Sequence, residues 1–99
     1  MKMIKDLVDQ IDDELCGAKR YAEMYVDYKV NGDNTWASRF REMATDELKH
    51  ATYIHELATN KIQRLNQFAP PPVEMQEIWD KSHKHYVEKE AWIKQMLNM

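Results

Sequence analysis

The stretch WASRFREMATDELKHATYIHELATNKIQRLNQF, residues 36–68, decides the fold. It contains no glycine or proline, and its apolar residues return at helical spacing: Trp36, Phe40, Met43, Ala44, Ala51, Ile54, Leu57, Ala58, Ile62 and Leu65. At about 100° per residue these form one stripe on a single long helix. Glu47 stands in the middle of that stripe, where leucine or isoleucine is expected, and His50 follows on its flank one turn along. A carboxylate on a buried seam is costly unless something neutralises it. An inward-facing Glu-x-x-His pair points to a bound metal ion as the neutralising partner.

Outward from this stretch, the chain reads as all-α. A first helix over about residues 3–29 carries the stripe Ile4, Leu7, Val8, Ile11, Leu15, Ala18, Ala22, Tyr25 and Val26. It ends at Asn31-Gly32, where glycine supplies a left-handed cap, and Asp33 or Asn34 caps the next helix. So short a connection folds the two helices into an antiparallel hairpin spanning about residues 3–68. Pro70, Pro71 and Pro72 stop the second helix. A third, over about residues 74–97, presents Met75, Ile78, Trp79, Ser82, Tyr86, Ile93 and Leu97. Two assemblies satisfy this pattern: a three-helix bundle within one chain, or two hairpins joined into a four-helix bundle. The second is the expected one, with each third helix on the outside or against the partner.

With 99 residues, one domain with a modest core is expected. A mean hydropathy of −0.78 and the absence of a long apolar run speak against a membrane span or a signal peptide. A net charge of −3 and a pI near 5.8 disfavour nucleic acid, whose phosphates call for a basic face. The single Cys16 cannot close an intramolecular disulfide, which fits a reducing, cytoplasmic setting. The seven methionines are scattered and read as core filler rather than copper ligands.

Glu14 is the second carboxylate out of place, on the flank of the first helix's stripe. It precedes Gly32 by as many residues as His50 follows it, so a hairpin turning there brings Glu14 level with Glu47 and His50. Two carboxylates and an imidazole suit iron, manganese or zinc, whereas all-oxygen cages favour calcium or magnesium. No thiolate joins the set, which argues against a structural zinc site.

These residues resemble a known family. Glu14-Leu15 followed by Tyr21, then Glu47-Leu48-Lys49-His50-Ala51, resembles the first half of the ferritin-like superfamily. Its di-iron carboxylate members use a Glu from each of two helices and a Glu-x-x-His from each of the other two. One chain here offers half that set, as in the short half-ferritin branch that includes encapsulated ferritins and small bacterial and phage ferritin-like proteins. The resemblance covers about residues 4–65. It implies a homodimer or higher homo-oligomer with a di-metal centre between subunits, iron as the metal, and oxidation of Fe(II) by oxygen. Glu14 or Glu47 would bridge the metals and His50 would be a terminal ligand. The alternative, from another class, is a metal-free helical interaction module whose polar seam residues set pairing register.

The remaining polar residues carry lesser expectations. Tyr21, two turns after Glu14, can hydrogen-bond a ligating carboxylate or simply span the core edge. Asp46 can hold the free ring nitrogen of His50 or sit in solvent. His83 and Glu90 share the flank of the third helix's stripe, and Asp80-x-x-His83 imitates the Glu-x-x-His spacing; they can add a ligand or a second site, with solvated edge residues as the default. His55 and His85 are expected on exposed faces.

Overall fold

A computed structural model describes all 99 residues, Met1–Met99, as three α-helices without strands: α1 (Lys2–Val30), α2 (Asn34–Asn66) and α3 (Val73–Leu97). The punctuation is chemical. Gly32 takes φ of 82°, a left-handed conformation that glycine adopts without a steric penalty. Asp33, the first of the two residues expected to cap α2, accepts a hydrogen bond from the Trp36 N–H at 3.2 Å. α2 ends at Asn66, two residues before the expected Phe68, and Pro72 holds the position just before α3 without a side-chain cap.

The helices run up, down and up. Lys5 pairs with Glu74 at 3.9 Å near one end. Near the other, Arg41 Nε donates to the Leu97 carbonyl at 3.0 Å and Lys29 Nζ to the Met99 carbonyl. α3 therefore lies parallel to α1. It packs mainly on α1 and reaches α2 through side chains. The result is a rod of 55 × 18 × 16 Å. Within the single chain, α3 covers one edge of its own hairpin. No helix is long and apolar enough to cross a membrane.

The core corrects the stripe expected for residues 36–68, which divides into two. Ala37, Ala44, Ala51 and Ala58 recur every seventh residue and are all at most 3% exposed. With Leu48 and Ile62 they form the inner seam of α2, facing Ala18, Ala22, Leu15 and Ile11 of α1. Side chains this small let the helix backbones approach closely. Trp36, Met43, Leu57 and Leu65, expected in the core, are exposed, and Phe40 and Ile54 are half-buried. They form a second, outer stripe turned away from α3. Leu48 and Ile62 apart, the large apolar residues of α2 thus stand outside and the small ones inside.

The α1 and α3 stripes follow expectation in most positions, with Leu7, Val8, Val26 and Ile78 half-buried rather than buried and Met96 added to the core. Ile4, Ile11, Leu15, Ala18, Ala22 and Tyr25 are buried on α1, and Met75, Trp79, Ser82, Tyr86, Ile93 and Leu97 on α3. Because the alanine seam leaves no spare volume, Ala51→Leu overpacks it and should destabilise the protein by about 1–3 kcal/mol. The check is a shift of the urea midpoint, with Leu57→Ala on the outer stripe as the control that barely moves it.

Candidate metal centre

Glu14, Glu47 and His50 meet. Each offers one ligand atom, and these atoms all lie within 4.8 Å of one another. Glu14 comes from the middle of α1, and Glu47 and His50 from one turn at the middle of α2. The expected juxtaposition across the hairpin therefore holds. The burial differs from expectation: both carboxylates are half-buried, and the His50 side chain is 52% exposed. They interrupt the outer stripe rather than the closed core, so the site opens toward the face of the hairpin that α3 leaves bare.

The charges in the cluster are unbalanced. His50 Nδ1 stands 3.4 Å from Glu14 Oε2 in a geometry that makes no hydrogen bond. Glu14 Oε2 is buried without any hydrogen-bond partner. A proton on Glu47 would supply a bond between the two carboxyls. That bond, then burial, then the charge of Glu14, holds the Glu47 carboxyl above the usual carboxylate range, against a smaller opposing pull from His50. An orphaned acceptor beside a carboxyl that resists ionisation is a site short of positive charge. The donor set of two oxygens and an imidazole nitrogen fits a divalent iron, manganese or zinc ion in that place.

Gly17 was not among the expected site residues. A Cβ built on it would lie 3.0 Å from Glu47 Oε2 and 3.5 Å from the carboxyl carbon. The missing side chain is the space in which the Glu47 carboxylate rests. Glycine inside a helix costs roughly 0.5–1 kcal/mol relative to alanine, and Gly17 sits deep within the 29 residues of α1. A glycine in a helix interior, three residues after Glu14, is the sequence signal that would have found it.

Other expected residues fall as follows. Tyr21 is half-buried and stacks on Phe40 at 6.3 Å, and Tyr28 meets the same ring at 5.2 Å. No hydrogen bond joins the Tyr21 hydroxyl to either carboxylate within the chain, so of its two expected roles the structure shows the core-edge one. Asp46 is exposed and does not hold His50. Asp80 accepts a hydrogen bond from Gln76 at 2.8 Å rather than joining His83 in a cluster. His55 departs from the exposed position expected of it: it is half-buried and stacked on Tyr86. Glu90 accepts the Tyr86 hydroxyl at 2.6 Å.

Comparisons of the chain with protein-family models, with curated proteins and with solved structures give no match.

Two substitutions test the centre. Gly17→Ala displaces the flexible end of Glu47 toward the open face, so it should weaken metal binding at least tenfold while leaving the helix as stable or about 0.5–1 kcal/mol more so. Calorimetric titration with Mn(II) and thermal melting read the two effects separately. Because the native state holds the Glu47 proton more tightly than the unfolded chain does, the stability of the metal-free protein should fall as pH rises through the carboxylate range toward the raised pKa. Glu47→Gln should remove that loss, raise the melting temperature of the metal-free protein at pH 7, and abolish metal binding.

Proposed function

We propose that this protein binds a pair of divalent metal ions, iron in its working state, at a carboxylate–imidazole site shared between two copies of the chain, and that it oxidises Fe(II) with oxygen there. One observation carries the reading: the Glu14–Glu47–His50 cluster lies at the centre of an apolar face that its own chain leaves uncovered. Tyr28, Phe40, Trp36 and Met43 lie toward the turn, and Leu7, Ile54, Leu57 and Leu65 toward the other end. A two-fold axis through the cluster, perpendicular to the hairpin, matches one apolar end with the other and brings two clusters together. Exposed apolar faces of this extent mark association surfaces.

Charge supports the same assembly. Two copies bring four carboxylates, the charge that two divalent cations balance. Without cations the four repel across the axis, so binding of metal and of partner are coupled. Glu14 and Glu47 hold the charge, His50 adds a neutral donor, and Gly17 leaves the Glu47 carboxylate its position. Tyr21, Phe40 and Tyr28 wall one side from water. When bound, the metal pair supplies the electrons that reduce oxygen, with Fe(II) the substrate and Fe(III) the product.

Metal should therefore drive dimerisation. In sedimentation velocity, addition of Mn(II) or Zn(II) should convert monomer to dimer at about one ion per chain, and the melting temperature should rise with both metal and protein concentration. Met43→Glu on the bare face should keep the protein monomeric. In air, Fe(II) should be oxidised faster than in buffer, with Zn(II) inhibiting, and the acceleration should vanish in Glu14→Ala. A dimer that forms without metal and leaves Fe(II) oxidation at the buffer rate would instead identify the metal-free interaction module.

A further inference from the structure

On the side of α2 opposite the carboxylate cluster, His55 of α2 and His83 of α3 turn ring nitrogens on each other, His55 Nε2 to His83 Nδ1 at 2.8 Å. The His55 ring is held in place. It stacks nearly parallel on Tyr86, 4.2 Å between centroids and 14° between planes, and Trp79 lies against it at 5.1 Å. Tyr86 is itself fixed through its hydroxyl, which lies 2.9 Å from Thr52 Oγ1 and donates to Glu90 Oε2 at 2.6 Å. Thr52, Tyr86 and Glu90 thus orient the ring that aims His55 at His83. Such supporting contacts are what orient metal-binding imidazoles.

We infer that His55 and His83 form a second metal site, a two-imidazole clip for a late first-row divalent cation such as Ni(II), Cu(II) or Zn(II) that fastens α3 to α2. In the metal-free protein one ring donates its N–H to the other's lone pair. On binding, the donating ring carries its proton on its other ring nitrogen instead, and the cation takes the lone pair this frees together with that of the partner ring, both imidazoles staying neutral. Bonds of about 2.0–2.1 Å from one ion to two adjacent imidazoles place the nitrogens roughly 3.0–3.4 Å apart, so the rings part by a few tenths of an ångström and the exposed His83 ring tilts to bring its lone pair onto the ion. His83 is exposed, which leaves the remaining coordination positions to water. Glu56 and Glu90 lie near enough to His55 for their negative charge to act on it, which favours a cation there. Burial and the neighbouring His83 hold the His55 pKa below its ordinary value, keeping its lone pair free at neutral pH.

The clip differs from the carboxylate centre in chemistry and in effect. Two neutral imidazoles select the nitrogen-preferring end of the divalent series, whereas Glu14 and Glu47 bring the charge suited to iron or manganese. The clip lies within one chain and joins the helix that α3 touches least, so it needs no dimer.

Trp79 serves as the reporter, its ring centroid 5.1 Å from His55 and 6.2 Å from His83. The experiment uses untagged full-length protein carrying Glu47→Ala, so that the carboxylate centre is disabled and its fate does not enter. Ni(II) at pH 7.5 should quench part of the tryptophan fluorescence at one ion per chain and raise the melting temperature. Adding His83→Ala, at an exposed position, should weaken the quenching at least tenfold with the circular dichroism unchanged, and His55→Gln should do the same. Identical Ni(II) titrations with and without His83 would overturn the inference, as would no quenching of the Glu47→Ala protein at millimolar Ni(II).

Discussion

Close approach of α1 and α2 along the alanine seam is the constraint on which the rest of the molecule depends. Ala37, Ala44, Ala51 and Ala58 present methyl groups where most helical bundles place leucine, and Ala18 and Ala22 answer them from α1. Methyl groups bury little area each, so the seam contributes through tight packing along its whole length rather than through large anchors. It also brings side chains on the edges of the seam into one another's reach. Glu14 meets His50 at 3.4 Å, and Glu47 settles over the bare backbone of Gly17. Bulkier seam residues would part the helices and scatter the cluster.

The seam has two edges, and the chain treats them differently. One is covered by α3, whose Trp79, Tyr86 and Ile93 supply the bulk that the alanines lack. The other carries the large residues of α2 into solvent around a charged centre. An apolar face is unfavourable in water, and a carboxylate pair with an unpartnered buried oxygen is unfavourable without a cation. Both deficits lie at the same place, and one event, pairing around metal, would remove both. That coincidence distinguishes the face from the scattered exposed apolar residues of any small protein.

The two histidine-bearing regions show how surroundings separate chemically similar groups. His50 is half in solvent beside carboxylates, where a hard or borderline cation gains most. His55 lies among aromatic rings with another imidazole in front of it, where a neutral nitrogen donor is favoured. Both side chains belong to α2, less than two turns apart, and they serve opposite edges of the same seam.

By itself the sequence determined three helices, their turn at Gly32 and Asp33, the break at the prolines, and the meeting of Glu14 with Glu47 and His50. Each of these follows from local chemistry or from counting residues about a short turn, which fixes height along a hairpin. Tertiary structure alone decided which side each residue faces. The apolar residues of α2 cover too wide an arc for one stripe, and only the position of α3 divides that arc into a closed alanine seam and an open face of large residues. For the same reason Glu47 and His50 came out less buried than their neighbours in sequence implied. Gly17 as the seat of a carboxylate, and the pairing of His55 with His83, depend on side chains from different helices arriving at one point. Spacing along a single helix carries no information about the histidine pair, and it marks Gly17 only as a glycine inside α1 without saying what rests against it.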